Sequence, residues 1–251
     1  MIIRLKSIKM LKNKISFLSL VALVAIAVFS CSKDNTEVQQ PIKPIEYQTM
    51  KIGEFSSFEI GESHNISLSL LKESSSIKKS QKDFDKILST ELPKIDNRFT
   101  SKEISDAVNN LYSSGLLTFE KFNKAKSIAS FQENVLNFLV SQNEISKNAK
   151  LEIDNLSILD IESMKLKTNE LINSNEWTNK EKKYFAVYTS VYENSMIYWN
   201  NPNNISKKSS KTDGKVYAAD AAGAVLGLWA SPIWSIIQGA LASYIADDSA
   251  K

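Results

Sequence analysis

The chain has one histidine, His64, and one cysteine, Cys31, and these two single residues narrow the chemistry open to its 251 residues. A nucleophile needs a positioned base. Cysteine–histidine catalysis would have to recruit Cys31, which closes an apolar N-terminal run instead of sitting inside a domain. A Ser-His-Asp arrangement would have to use His64, and no G-x-S-x-G elbow presents a serine to it. The sequence also lacks H-E-x-x-H, C-x-x-C and EF-hand spacings, a Walker loop and a G-x-G-x-x-G turn. Aspartates and glutamates, which work in pairs in glycoside hydrolysis, are scattered without a signature. The residues therefore read as a protein that is not an enzyme, with no catalytic group, no metal ligands and no cofactor.

The candidate binding chemistry is the pair His64 and Asn65, within Ile60-Gly61-Glu62-Ser63-His64-Asn65. Gly61 supplies backbone freedom to begin a helix, and His64, Leu68 and Leu71 then fall on one face. At a helix start the dipole disfavours the charged imidazole. Two readings follow: the pair grips a ligand or a partner's backbone, or it caps and buttresses a helix junction. The stretch resembles a G-x-x-H-N-x-x-L pattern near the start of the mature domain in a group of exported Bacteroidota proteins with no assigned activity. Those proteins also carry an alanine- and glycine-rich tail opening near D-A-x-G-A, matched here by Asp220-Ala221-Ala222-Gly223-Ala224. The resemblance covers two short blocks and implies lineage, not mechanism.

The elements that must position these residues are helical by their spacing, so the fold class is all-α: a multi-helix bundle over residues 47–251. Phe84, Ile87, Leu88 and Leu92 form one stripe that Pro93 ends. Thr100 and Glu103 make a capping-box pattern ahead of Ile104, Val108 and Leu111, with Gly115 placed to stop the helix. From Thr118, the residues Phe119, Phe122, Ile128, Phe131, Val135, Leu136 and Leu139 keep helical spacing for about six turns. Residues 151–172 hold one or two helices. Thr178 and Glu181 form a second capping box, followed by Tyr184, Tyr188, Val191, Tyr192, Met196 and Trp199 on one face, and Asn200-Asn201-Pro202-Asn203-Asn204 ends that helix. The aromatic stripe reads as a core face, with stacking on sugars or a flat ligand as the other reading. Residues 207–215 read as an exposed basic loop.

Residues 221–246 contain no charged side chain. Ser231-Pro232 reads as an N-cap followed by proline at the first helical position, so residues 216–246 form a hydrophobic helical hairpin rather than one span. Ala219, Gly223 and Gly227, and again Ser235, Gly239 and Ser243, place a small residue at every fourth position and permit close backbone approach. The hairpin is either the apolar centre of the bundle or a membrane-active, toxin-like element, with Trp229 and Trp234 at the bilayer interface.

The N-terminus has the zones of an export signal: Arg4, Lys6, Lys9, Lys12 and Lys14, then an apolar run over residues 15–29, with Met10 as an alternative start. About 15 apolar residues fall short of the roughly 20 that span a bilayer. Without those five charges the 31 basic residues become 26 against 28 acidic, which leaves no footprint for nucleic acid. Val28-Phe29-Ser30-Cys31 resembles the lipobox of bacterial lipoproteins, although Phe29 is bulkier than that motif usually carries. The resemblance implies a signal peptide over residues 1–30, cut between Ser30 and Cys31, and lipidation of Cys31. A polar tether over residues 31–46 then carries the domain. The membrane is thus one partner, through acyl chains that contribute about 0.8 kcal/mol per buried methylene. An envelope protein or ligand would be the other. Ser32-Lys33-Asp34 resembles the export signal of surface lipoproteins in Bacteroidota, with Asn35 where a second acid is usual. It implies outer-membrane residence, facing either outward or into the periplasm. Cys31→Ala is expected to abolish labelling by a fatty-acid analogue and to leave an uncleaved or soluble chain; labelling that persists would refute the anchor.

Overall fold

The computed structural model describes residues 48–73, 80–114, 127–201 and 214–249. Outside them lie Ser30, Cys31, Ser32, Lys33 and Asp34 with the rest of the signal and most of the tether. Gly115, Thr118, Phe119, Phe122, the turn from Pro202 to Asn204 and residues 207–213 also lie outside. A short hairpin, β1 (Lys51–Ile52) against β2 (Phe55–Ser56), opens the described part. Helices follow in the order α1 (Ser57–Glu73), α2 (Gln81–Ile95), α3 (Ser101–Ser113), α4 (Ser127–Ser141), α5 (Lys147–Leu156), α6 (Ile161–Asn173), α7 (Asn179–Asn200), α8 (Gly214–Leu228) and α9 (Pro232–Ser249). The fold is an all-α bundle, and these elements belong to one unit, Ile45–Lys251.

The small hairpin is an addition to the sequence reading. Gly53 adopts φ +62°, the left-handed conformation that a two-residue turn demands at its first position. Directly after it, Ser56 and Glu59 cap α1 reciprocally: Glu59 N–H donates to Ser56 Oγ at 3.1 Å, and Ser56 N–H donates to Glu59 Oε2 at 2.7 Å. The helix therefore begins a turn before Gly61, and His64 lies inside it, not at its start. Gly61 is required for a different reason than backbone freedom. A Cβ there would come within 2.6 Å of Ser190 Oγ and 2.8 Å of the Ser190 carbonyl oxygen on α7.

Pro93 does not end its helix either. It sits inside α2, which runs on to Ile95 before its C-cap Asp96. Proline removes the donor that the Ser89 carbonyl would receive in a regular helix. Ser101 Oγ, on the next helix, donates to that carbonyl at 2.8 Å and makes the interruption tolerable. Thr100 caps α3 through Glu103 N–H at 3.2 Å, but the Glu103 carboxylate turns away and accepts from Ser231 Oγ at 2.9 Å. Ser231 in turn accepts from Trp234 N–H at 3.2 Å and starts α9, with Pro232 first. One acid thus ties two helix starts together. The region 151–172 resolves into α5 and α6, capped by Ser146 and Asp160. Thr178 and Glu181 form the full reciprocal box at α7, and the second Glu181 oxygen accepts from Ser146 N–H at 3.0 Å. Asn201 caps α7 at its far end.

Helices α8 and α9 form the hairpin, and they are enclosed: α7 and α4 pack on α8, and α1 and α3 pack on α9. α1 also packs on α7, and α5 and α6 cover the outer face of α7. Enclosed between these helices and the hairpin, α7 buries Phe185, Ala186, Val187, Thr189 and Ser190 together with Tyr184, Tyr188, Val191 and Trp199. The stripe on α7 is thus one side of a helix buried nearly all round at mid-length, and no aromatic face there is open for stacking. Among the described residues no helix is long and apolar enough to cross a membrane.

The small-residue strips meet as their spacing predicts. A Cβ on Gly223 would lie 2.7 Å from Ala242 Cβ and 2.7 Å from the Gln238 carbonyl oxygen, and one on Gly227 would collide with the Trp234 backbone. Overpacking of this kind costs about 1–3 kcal/mol. Gly223→Ala is expected to lower the urea midpoint at unchanged m-value, and a variant as stable as the parent would show that α8 and α9 have more room than this.

Candidate functional site

Four helices converge on a polar cluster with no solvent access. His64 on α1, Ser195 on α7, Asp220 on α8 and Ser243 on α9 are all fully buried. Ser195 Oγ donates to Asp220 Oδ2, and Ser243 Oγ donates to the same oxygen at 2.8 Å. Trp199 Nε1 donates to Ser243 Oγ at 3.3 Å and extends the chain of bonds to α7. His64 Nε2 lies 3.9 Å from Asp220 Oδ2. On its other side, Asn65 Oδ1 meets His64 Nδ1 at 3.1 Å, and Asn65 Nδ2 donates to the Asn194 backbone carbonyl at 2.8 Å. His64 Nε2 and Asp220 Oδ1 have no hydrogen-bond partner among protein groups.

Burial dominates the electrostatics here. It drives His64 down from its ordinary 6.5 to about 4, against the Asn65 amide oxygen and the Gly239 backbone, which favour the charged ring. The same desolvation drives Asp220 up from 3.8 to about 7, opposed by the donors Ser195, Ser243 and Trp199 and by the field of Lys72. The 3.9 Å contact is therefore no salt bridge at neutral pH, because the imidazole is uncharged. The true ion pair nearby is Lys72 Nζ with Asp247 Oδ2 at 2.5 Å, with the ammonium 4.0 Å above the Trp199 ring.

Of the residues the sequence singles out, His64 and Asn65 are brought to this cluster. His64 is fully buried among the chain's own helices, and Asn65 is half-buried beside it. Asn65 does grip a backbone carbonyl, but it belongs to α7 of the same chain. The lipidation and export residues, Ser30, Cys31, Ser32, Lys33 and Asp34, lie outside the described residues. Asp220 enters the sequence reading only as the head of its alanine- and glycine-rich block and Ser243 only as a small residue, while Ser195 and Asn194 carry no sequence signal of their own. One signal was available: Asp220 is the acid bordering the uncharged run, where a solvated carboxylate has no place. The blocks Ile60-Gly61-Glu62-Ser63-His64-Asn65 and Asp220-Ala221-Ala222-Gly223-Ala224, far apart in sequence, meet here as His64 and Asp220.

Surface grooves among the described residues lie elsewhere. One of about 530 Å³ between α1 and the end of α2 is lined by Glu59, Glu62, Ile66, Ile95 and Arg98. Arg98 is engaged there, with Nη2 2.7 Å from Asp96 and Nη1 3.0 Å from Glu59. A second, of about 590 Å³, includes Leu70, Lys86 and Glu91, and a third of about 210 Å³ includes Lys183 and Trp229. Among the described residues no group of three or more acidic, histidine or cysteine side chains is placed to hold a metal ion.

In comparisons with known proteins, no family model matches the chain, no curated protein matches its sequence and no solved structure matches its fold. The cluster's energetics can be tested directly. Ser195→Ala and Ser243→Ala each strip a donor from Asp220 Oδ2 and are expected to cost about 1–3 kcal/mol in chemical unfolding. Loss below about 0.5 kcal/mol in both would mean the carboxyl is not held by these hydroxyls.

Proposed function

We propose that the chain is a lipid-anchored component of a bacterial cell envelope, and that its helical domain binds or organises another envelope component without catalysing a reaction. The observation that carries this reading is the burial of His64 and Asp220. The side chains best suited to chemistry are spent on joining α1, α7, α8 and α9, and neither lines a groove described above.

The surface supports an interaction role from the other side. Leu151 on α5, Ile158 in the following turn, Leu166 on α6 and Ile197 on α7 are large apolar side chains more than half exposed, Ile158 at 81%. Contacts between Lys165 and Glu193, and between Thr168 and Thr189, set α6 antiparallel to α7. That register brings Ile197 level with the first turn of α6, beside the turn that carries Ile158. Apolar groups collected in this way at a surface favour docking.

Photo-crosslinking from position 158 or 197 in native membranes is expected to give one stoichiometric partner, and Ile158→Asp should weaken its capture. External protease should remove the domain from intact cells, and alanine at Lys33 and Asp34 should protect it. Adducts only between copies of the chain, with leakage of lipid vesicles, would favour a membrane-active hairpin. Absence of any adduct would remove the interaction reading.

A further inference from the structure

The amide of Asn65 fixes which nitrogen of a neutral His64 ring carries the proton. Its Nδ2 faces the Asn194 carbonyl, and a carbonyl only accepts, so the amide oxygen is the atom turned to His64 Nδ1. Nδ1 must then carry the ring proton and donate it. Nε2 is left as a bare acceptor, 3.9 Å from Asp220 Oδ2 and without a protein donor. On the carboxyl, two hydroxyls already donate to Oδ2, while Oδ1 is unpartnered. Both groups are fully buried, and an ionised carboxylate or imidazolium would stand in an apolar interior.

We propose that His64 and Asp220 together hold one proton, which rests on Asp220, and that this net-neutral buried pair locks the hairpin to α1. With one proton the pair is net neutral. Losing it leaves a carboxylate in the core, and gaining a second adds an imidazolium, so both changes act against the contact between α1, α8 and α9.

Other ionisable groups on the elements around the pair do not compete for that proton. Lys72 on α1 is engaged by Asp247 on α9. Tyr198 on α7 and Tyr112 on α3 are pushed above their ordinary value of 10 by burial. Lys86 and Glu91 of α2 line an outer groove, and Glu133 on α4 is exposed.

This placement of the proton has a consequence for pH. Folded, the pair loses protons near 4 and 7; unfolded, its ordinary values are 3.8 and 6.5. Between about pH 4 and 6.5 both states therefore hold one proton, on Asp220 when folded and on His64 when unfolded. Linkage depends on the number of protons and not on where they sit, so the pair's contribution to stability is level across this window. Each partner alone behaves differently. A histidine depressed on folding loses stability as pH falls from 6.5 towards 4. A carboxyl raised on folding loses stability as pH rises from about 4 towards 7.

His64 is the only histidine, so its imidazole nitrogens can be observed in the full chain, in detergent, with histidine-specific ¹⁵N labelling. At pH 6 the expected spectrum is that of a neutral ring with protonated Nδ1 and bare Nε2. An imidazolium at pH 6, or a proton on Nε2, would overturn the proposal. Urea unfolding against pH supplies the second measurement. Relative to wild type, the midpoint of Asp220→Asn should fall as pH drops from 6.5 to 4, and that of His64→Gln should fall as pH rises from 4 to 7. Parallel profiles for all three chains would also overturn it. If a variant fails to fold, the imidazole spectrum of the wild type decides.

Discussion

At Gly223 and Gly227 the backbone of α8 lies against α9 with no room for a methyl group, and Gly239 brings α9 within reach of the His64 ring. Such close approach makes the hairpin a dense apolar slab with no charged residue from 221 to 246. A slab of this kind must be covered on every side, and the helices α1, α3, α4 and α7 do so. The order of the outer layers follows, because α7, being pressed on the hairpin and on α1, leaves only its outer face for α5 and α6.

The same density decides the chemistry of the polar groups trapped inside. Water cannot reach them, so each must find a protein partner or remain neutral. Asp220 receives two hydroxyls, Trp199 is tied in through Ser243, and Asn65 spans from the imidazole to the backbone of α7. These bonds join four helices at one point. Breaking a single partner there leaves a buried group unsatisfied, which costs more than the bond itself contributes when intact. The cluster thus sets the relative positions of helices whose apolar contacts alone would tolerate sliding. The domain's reactive side chains are thus used internally, while large apolar groups are left outside on α5, α6 and α7.

Local signals along the chain were legible wherever the residue and its partner lie within a turn of each other. Thr178 with Glu181 and Ser231 with Pro232 act as their types and spacing predict. Signals failed where a distant group supplied the missing bond. Pro93 is a stop signal by its own chemistry, yet Ser101 relieves the orphaned Ser89 carbonyl and the helix continues. Glu103 has the right spacing to close a capping box, yet Ser231 claims its carboxylate. Ser56 and Glu59 do carry a readable capping box, and it outweighs Gly61 as the place where α1 begins.

The sequence by itself determined the helical class, the existence of the hairpin and the strips of small residues that let its helices meet, because these depend on periodicity and on side-chain size. It also marked His64 and Asn65 as unusual, from residue type alone. Only the tertiary structure decided what they do. A histidine followed by asparagine on one helix face is compatible with ligand binding or with packing, and burial is a property of the surroundings. Asp220 had to arrive from α8, Ser195 from α7 and Ser243 from α9 before the carboxyl became neutral and the imidazole bare. Those protonation states are set by desolvation, which no stretch of sequence contains.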